Sequence, residues 1–436
     1  MTTPASHNGL PALLQAALHR HPAQGRLWLG FSGGLDSTVL LHLLVSCKIP
    51  VQAVHVHHGL SVNADRWQAQ CRQTAAALGV CFTSVQVQVD RGDGGLEQGA
   101  RSARYRAFSQ VMSAGDQILL GHHGDDQAET FILRLMRGAG VLGLSGMQEW
   151  RPMDEGKTLL RPLLKAGRSD LEAWARDHGL SWIEDESNND ESLERNYIRR
   201  RIQPLLAARW PARQQIVRAV ENLRESVELL QEFASEDLKK CGLRDERLGQ
   251  SLAIEPFAAM SGARRKNLLR NWVLERGGTA PESASLSQAL EQVFNAAVDA
   301  RIEVALGGLV VRRYQNRLYL TPVLPPLGLS GEGQWHWDGS SDLNLPGGGV
   351  LAPTAGWPAS DYEVCYRRGG ERAHPVGRAH SQTLKKLLQE RGLEPWLRDR
   401  VPLVYRAREL LAVGDLFTCR ADTPAPPRPP SWRFFD

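Results

Sequence analysis

The chain has 436 residues, 42% hydrophobic and 23% charged, with a formal net charge of +4. That length divides into two to four domains, and that composition is ordinary for a globular protein. No apolar run approaches the roughly 20 residues of a membrane span, and the opening MTTPASHNGLPALLQ lacks the basic-then-apolar pattern of a signal peptide. The six cysteines form no C-x-x-C pair and no zinc-like spacing, so buried thiols in a cytoplasmic chain are expected.

In chain order, RLWLGFS, VQAVHVHH, CFTSVQVQV, QILLGHH and TLLRPLL read as strands, separated by segments of helical period such as DDQAETFILRLMRG. That alternation predicts an α/β fold with a doubly wound parallel sheet, whose ligands sit beyond the carboxyl ends of the strands. From Pro211 long helices take over, with Ile216, Val220, Leu223, Val227 and Leu230 facing one way, and RIEVALGGLVVRRYQNRLYL reads as a short strand pair. The stretch TPVLPPLGLSGEG is rich in Pro and Gly and reads as a linker to a small mixed α/β domain. The expected division is a catalytic domain over 1–211, a mainly helical middle domain over 212–325, a linker over 326–349 and a C-terminal domain over 350–436.

Between the first strand and its helix lies Ser32-Gly33-Gly34-Leu35-Asp36-Ser37. Two glycines allow positive φ or close approach to a ligand, and Asp36, Ser37 and Thr38 are of the types that cap helices. Such a turn aims backbone N–H groups and the positive end of a helix dipole at an anion. It lacks the Lys of a Walker A loop and the third glycine of the dinucleotide fingerprint. It resembles instead the SGGxDS loop of the N-type ATP pyrophosphatases, which cleave ATP between the α and β phosphates.

Three clusters accompany the loop. HVHHGL closes the second strand, placing His57 and His58 at the same sheet edge, either as structural histidines or beside a nucleotide. In GHHGDDQAET, Asp125 or Asp126 reads as a helix cap, and Asp126 and Glu129 share one helix face; they suit capping, magnesium binding or an ammonium group. WIEDESNNDESLERNYIRRRI sets acids and amides ahead of a helix with Arg195, Asn196, Arg199, Arg200 and Arg201, a pattern suited to phosphate contacts. Between Tyr366 and Arg408 eleven basic residues face four acids, a surplus of +7 that leaves the rest of the chain at −3. An RNA-docking module has that asymmetry, and Arg264, Arg265, Lys266 and Arg270 extend it.

Taken in order, SGGLDS, HVHHGLS, ARYRAF, GHHGDDQAETFILRLMRGAG, RPLL, the W-I-E-D-x-S-N-x-D…RNYIRR run and CYRRGGERAHPVGRAHSQTLKKLLQERGLEPWLRDRVPLVY resemble the tRNA(Ile)-lysidine synthases. About 160 residues at the front and 60 at the back carry the resemblance, and Glu186 stands where that family often has Pro. The resemblance implies an ATP pyrophosphatase fold and a carbon–nitrogen ligase. ATP adenylates the C2 oxygen of the wobble cytidine of an isoleucine tRNA with a CAU anticodon, and the ε-amine of L-lysine displaces AMP. It implies that Ser32, Gly33, Gly34, Leu35, Asp36, Ser37 and His57 bind ATP, with Asp36 acting through Mg2+, and that Asp126 and Glu129 hold the lysine ammonium. Arg195, Asn196, Arg199, Arg200, Arg372, Arg378, Lys385, Lys386 and Arg398 are the expected tRNA contacts. No membrane partner is expected, and a homodimer is compatible with the sequence. The alternative within the same loop family is a tRNA thiolase, which needs paired cysteines that this chain lacks.

Overall fold

The structure, a computed structural model, describes residues 9–90, 95–295, 302–327, 333–421 and 427–434. Most of the signal-peptide reading and part of the linker, 328–332, lie outside them. The chain divides into two compact units, Met1–Glu228 and Leu229–Asp436.

The first unit is built on β1 (Leu27–Gly30), β2 (Gln52–His57), β3 (Cys81–Gln86), β4 (Gln117–Leu119), β5 (Trp150–Pro152) and β6 (Thr158–Leu160). They form one sheet in the order β3-β2-β1-β4-β6-β5. All pairs are parallel except β5 with β6, an antiparallel edge that the sequence reading did not include. Alternate residues of a strand point to opposite faces, so Leu29 joins the core of α1 (Leu10–Arg20), α2 (Leu35–Ser46) and α7 (Arg168–Asp177), while Trp28 joins Phe108 and Met112 of α4 (Gly95–Val111). Both faces are thus covered, as a parallel sheet requires. The strand order reverses at β1: the chain runs outward to β2 and β3 on one side, then returns to β4 on the other. The crevice between the carboxyl ends of β1 and β4 is the switch point where ligands enter such sheets.

Two segments open at that crevice. After β1 the chain turns into α2, a helix buried on most sides through Val39, Leu40, Leu41, Leu43 and Leu44. After β4 it turns into α5 (Gly124–Met136). Gly121 permits the approach: a Cβ there would lie 2.9 Å from the carbonyl of Asp36.

In the second unit, Ile254–Ala258, Gly262–Glu275 and Ser283–Asn295 are helices. They pack against a five-stranded antiparallel sheet around Trp272, Phe257 and Leu268. The expected strand pair is in fact three strands of this sheet, Glu303–Leu306, Leu309–Tyr314 and Arg317–Pro322, joined by Arg244–Asp245 and Gln250–Ala253. A second core around Tyr362, Leu403, Val404 and Trp432 holds a further five-stranded sheet and the helix Leu384–Glu390. Gln334–Trp337 and Leu343–Asn344, read from sequence as linker, are strands paired with Tyr362–Cys365 and Val350–Leu351. Alternating Trp335 and Trp337 supply the apolar face that low-complexity flanks concealed.

Candidate active site

The loop after β1 is shaped by Gly33, whose φ is +80°, and a Cβ there would lie 2.5 Å from Ile183 Cδ1 and 2.7 Å from Cys71 Sγ. Only glycine fits both the angle and the space. Gly34 needs neither: its φ is −70° and it is the N-cap of α2, with no side-chain cap. The expected capping by Asp36, Ser37 or Thr38 is therefore replaced by bonds that brace the loop. Ser37 Oγ donates to the Gly34 carbonyl at 3.1 Å, Thr38 Oγ1 donates to that of Gly33 at 3.1 Å, and Ser32 Oγ lies 3.1 Å from Ser37 Oγ. The first-turn amides of α2 have no intrahelical acceptor, which leaves them for an anion.

Across the crevice the residue that caps α5 is His123, rather than Asp125 or Asp126 as the sequence suggests. Its Nδ1 accepts from the Asp125 amide at 3.2 Å, while Asp126 Oδ2 accepts from the His123 amide at 2.9 Å, a reciprocal capping box. His123 is fully buried, with Nε2 3.5 Å from both Asp36 Oδ1 and Asp126 Oδ2. Burial alone would lower its pKa, but Asp126, Asp125 and Asp36 outweigh that and raise it to about 9. The capping bond, however, needs the Nδ1 lone pair, so the acids' pull is exerted on an Nε2–H that faces them. Asp36 shows the opposite pressure: burial raises its pKa, and His123 only partly offsets this.

Asp36, His123 and Asp126 offer three ligand atoms within 4.8 Å of one another. Asp36 Oδ1 and His123 Nε2 are buried with no hydrogen-bond partner. The carboxylates of Asp36 and Asp126 fit a hydrated divalent cation, since Mg2+ takes one or two carboxylates and keeps several waters, one of which can meet the His123 ring.

Asp126 and Glu129 do share a face, and both are occupied. Arg199 Nε donates to Glu129 Oε1 at 2.6 Å, and its Nη2 donates to Glu129 Oε2 at 3.0 Å and to Asp126 Oδ1 at 3.2 Å. Burial raises the pKa of Glu129, and Arg199 opposes it; for Asp126, His123, His122 and Arg199 overcome burial and lower it. Arg199, expected at RNA phosphate, is therefore engaged within the acid site. It is carried by a single π-helical turn, Ile198–Ile202, a feature frequent at functional sites.

Other expected contacts are placed as follows. His57 is buried, its Nε2 3.0 Å from Asp65 Oδ1. Asn196 is buried and donates to the carbonyls of Ser187 and Asp190, bracing the loop ahead of it. Arg200 binds Asn189 and Glu191. In the second unit Arg372 donates to Ser381, Arg378 pairs with Glu390 at 2.7 Å, and Arg398 donates to the Leu393 carbonyl and Tyr314 Oη. Lys385 and Lys386 are exposed. All six cysteines are free, and Cys71, the one packed behind the loop, is buried with its thiol pushed up to about 12.

The PP-loop domain model matches residues 10–206, and the fold and loop define an ATP pyrophosphatase of that class. The models described as TilS substrate binding domain and TilS substrate C-terminal domain match residues 252–319 and 362–433. The chain is 41% identical over 444 residues to a tRNA(Ile)-lysidine synthase of Serratia proteamaculans, covering 98% of each, and 42% identical to one of Pseudomonas syringae pv. tomato, covering 95% of this chain and 94% of the other. It belongs to the tRNA(Ile)-lysidine synthase family, whose members form a carbon–nitrogen bond. Among solved structures, a U34-tRNA thiolase of Methanococcus maripaludis is 18% identical, with TM-score 0.41, covering 50% of this chain and 79% of its own. No helix among the described residues is long and apolar enough to cross a membrane.

Proposed function

We propose that this chain converts the wobble cytidine of a CAU-anticodon isoleucine tRNA to lysidine, with ATP and L-lysine, in the cytoplasm. The observation that carries this reading is the meeting of the Ser32–Ser37 loop with His123, Asp126 and Glu129 at one crevice, in a chain of this family. The C2 oxygen of cytosine is a poor leaving group. In the first step it attacks the α-phosphorus of ATP, the bond to the bridging oxygen breaks, and pyrophosphate departs. Amides of the α2 first turn, Ser32 and Ser37 hold the departing charge. Asp36 and Asp126 would hold Mg2+, which when bound neutralises phosphate charge.

In the second step the lysine ε-amine attacks C2, the C2–O bond breaks, and AMP leaves with the electron pair. The ammonium must first lose a proton, which the Glu129 carboxylate, raised in pKa by burial, accepts. Asp126 and Glu129 recognise it once Arg199 has moved aside, since the two cations would occupy the same oxygens. Exposed Lys385 and Lys386, with the basic segment around them, contact tRNA phosphate. Sulfur transfer is disfavoured because the six cysteines are all free and include no C-x-x-C pair, and Cys71, the one packed behind the loop, is buried with its thiol pushed up. Incubation of the purified protein with tRNA, ATP and each amino acid in turn tests the reading: AMP release should require tRNA, and RNA modification should require lysine. AMP release without RNA, or modification without lysine, contradicts it.

A further inference from the structure

Helix α4 carries Arg101, Arg104 and Tyr105 at i, i+3 and i+4, on one face. The guanidinium carbon of Arg101 lies 5.1 Å from the Tyr105 ring centroid, and that of Arg151, from the edge strand β5, lies 5.0 Å from it. Arg101 Nη2 also donates to Tyr105 Oη at 3.3 Å. Arg161, just past β6, is 2% exposed, donates to the Gln148 carbonyl at 2.8 Å and reaches His122 Nδ1 at 3.3 Å. Among the described side chains none of these four guanidiniums forms an ion pair, whereas arginines elsewhere in the unit, such as Arg20, Arg168 and Arg199, do.

Four cations around one neutral phenol repel one another. The neighbourhood is in keeping with this: burial lowers Arg161 to about 10, with Tyr105 opposing and Arg151 and Arg101 adding to the fall, and burial followed by Arg104 lowers His58 to about 4. Burial would raise the Tyr105 phenol, but Arg101, Arg161 and Arg151 bring it below its ordinary value. Packing alone does not call for this arrangement, since Arg161, the buried member, would ordinarily be paired with an acid. Planar guanidinium forks match phosphate oxygens two at a time. The cluster also abuts the active site, because Arg161 touches His122, whose neighbour His123 faces Asp36 and Asp126.

We propose that Arg101, Arg104, Arg151 and Arg161, arranged about Tyr105, form a phosphate-binding site beside the nucleotide loop. The phosphate comes from the RNA backbone next to the reacting nucleotide or from the end of the triphosphate; these two sources rest on the function proposed above, whereas the affinity for phosphate does not. Arg104 is exposed and Arg151 half-buried, so Arg104→Gln with Arg151→Gln can be made in the full chain without emptying the core.

Binding of a non-hydrolysable ATP analogue, of unfractionated tRNA and of inorganic pyrophosphate is compared between wild type and the double variant, with the thermal midpoint of each. Loss of two charge-assisted contacts weakens one ligand by about tenfold or more, with the thermal midpoint unchanged or raised as repulsion is relieved. A loss confined to tRNA assigns the site to a phosphodiester. A loss in the ATP analogue and pyrophosphate assigns it to the triphosphate. If wild type bound neither ATP nor tRNA, the proposed function would fail, yet a tenfold loss of pyrophosphate binding would still sustain the site. Unchanged affinity for every ligand wild type binds overturns it. So does a lower midpoint with equal losses for all, which would mark the cluster as packing.

Discussion

Glu129 gives both carboxylate oxygens to one guanidinium, that of Arg199, 70 residues further along the chain. Glu129 is fully buried and Arg199 is about one-third exposed, so solvent reaches the pair from the arginine side. Arg199→Ala strands a buried carboxylate. Discounted for the solvent reaching Arg199, the loss is about 1–3 kcal/mol. Added L-lysine should restore part of the thermal midpoint, because an ammonium takes the vacated oxygens and binding to the folded state stabilises it. Thermal melts of the variant with lysine and with norleucine read this directly; equal responses to the two would remove the acid pair from lysine recognition.

Glu129→Gln should raise the lysine concentration needed for half-maximal rate by about ten- to a hundredfold, the worth of a charged hydrogen bond. The ATP requirement should move little, since the loop that holds phosphate is built from backbone on α2. A shift in ATP requirement equal to that in lysine would assign Glu129 to the nucleotide instead.

The two loop glycines separate strain from chemistry. Gly33→Ala forces a side chain into positive φ and against Ile183 and Cys71, costing about 1–3 kcal/mol from the angle alone and more from overlap. Gly34→Ala meets nothing nearer than Ser32 Oγ at 3.5 Å and has an ordinary φ, so it should melt like wild type. Denaturant midpoints of both variants check this, and equal destabilisation would contradict the loop geometry.

Much of this architecture was legible in the sequence. Strand positions, the glycine turn and the acidic helix face follow from local pattern, because side-chain period and turn chemistry are local properties. His123 was missed because GHHGDD shows two adjacent histidines, and which one turns inward depends on where β4 ends and how closely Gly121 lets the chain pass Asp36. Arg199 was misplaced because its partners are far away in sequence; an arginine-rich helix looks the same whether it faces RNA or a buried acid. The edge strand Trp150–Pro152 has only three residues, too few for alternation to show.

Asp116 offers a test at acid pH. It is buried and accepts from the amides of Arg26 at 2.8 Å and Ser113 at 2.9 Å and from Trp28 Nε1 at 2.9 Å, tying β1 to the turn before β4. Burial would raise its pKa, but these donors outweigh burial and lower it from 3.8. A depressed carboxylate stabilises the fold above its unfolded pKa and loses that contribution as pH falls through the folded value. Asp116→Ala should therefore cost about 2–4 kcal/mol at pH 7, and the gap to wild type should narrow below about pH 4. Urea melts at pH 7 and pH 3 measure it, and a gap that is constant or widens at acid pH would show that the carboxylate charge is not what the three donors hold.

The most direct test of the proposed chemistry follows one oxygen and one nitrogen. A CAU-anticodon isoleucine tRNA carrying 18O at C2 of its wobble cytidine is incubated with the protein, ATP and lysine labelled with 15N at the ε position, and the products are weighed by mass spectrometry. The predicted result is 18O in the phosphate of AMP and 15N bound to the base, both lost in Asp36→Ala. An 18O label that stays in the RNA, or a base modified without 15N, would contradict activation of the C2 oxygen followed by amine attack.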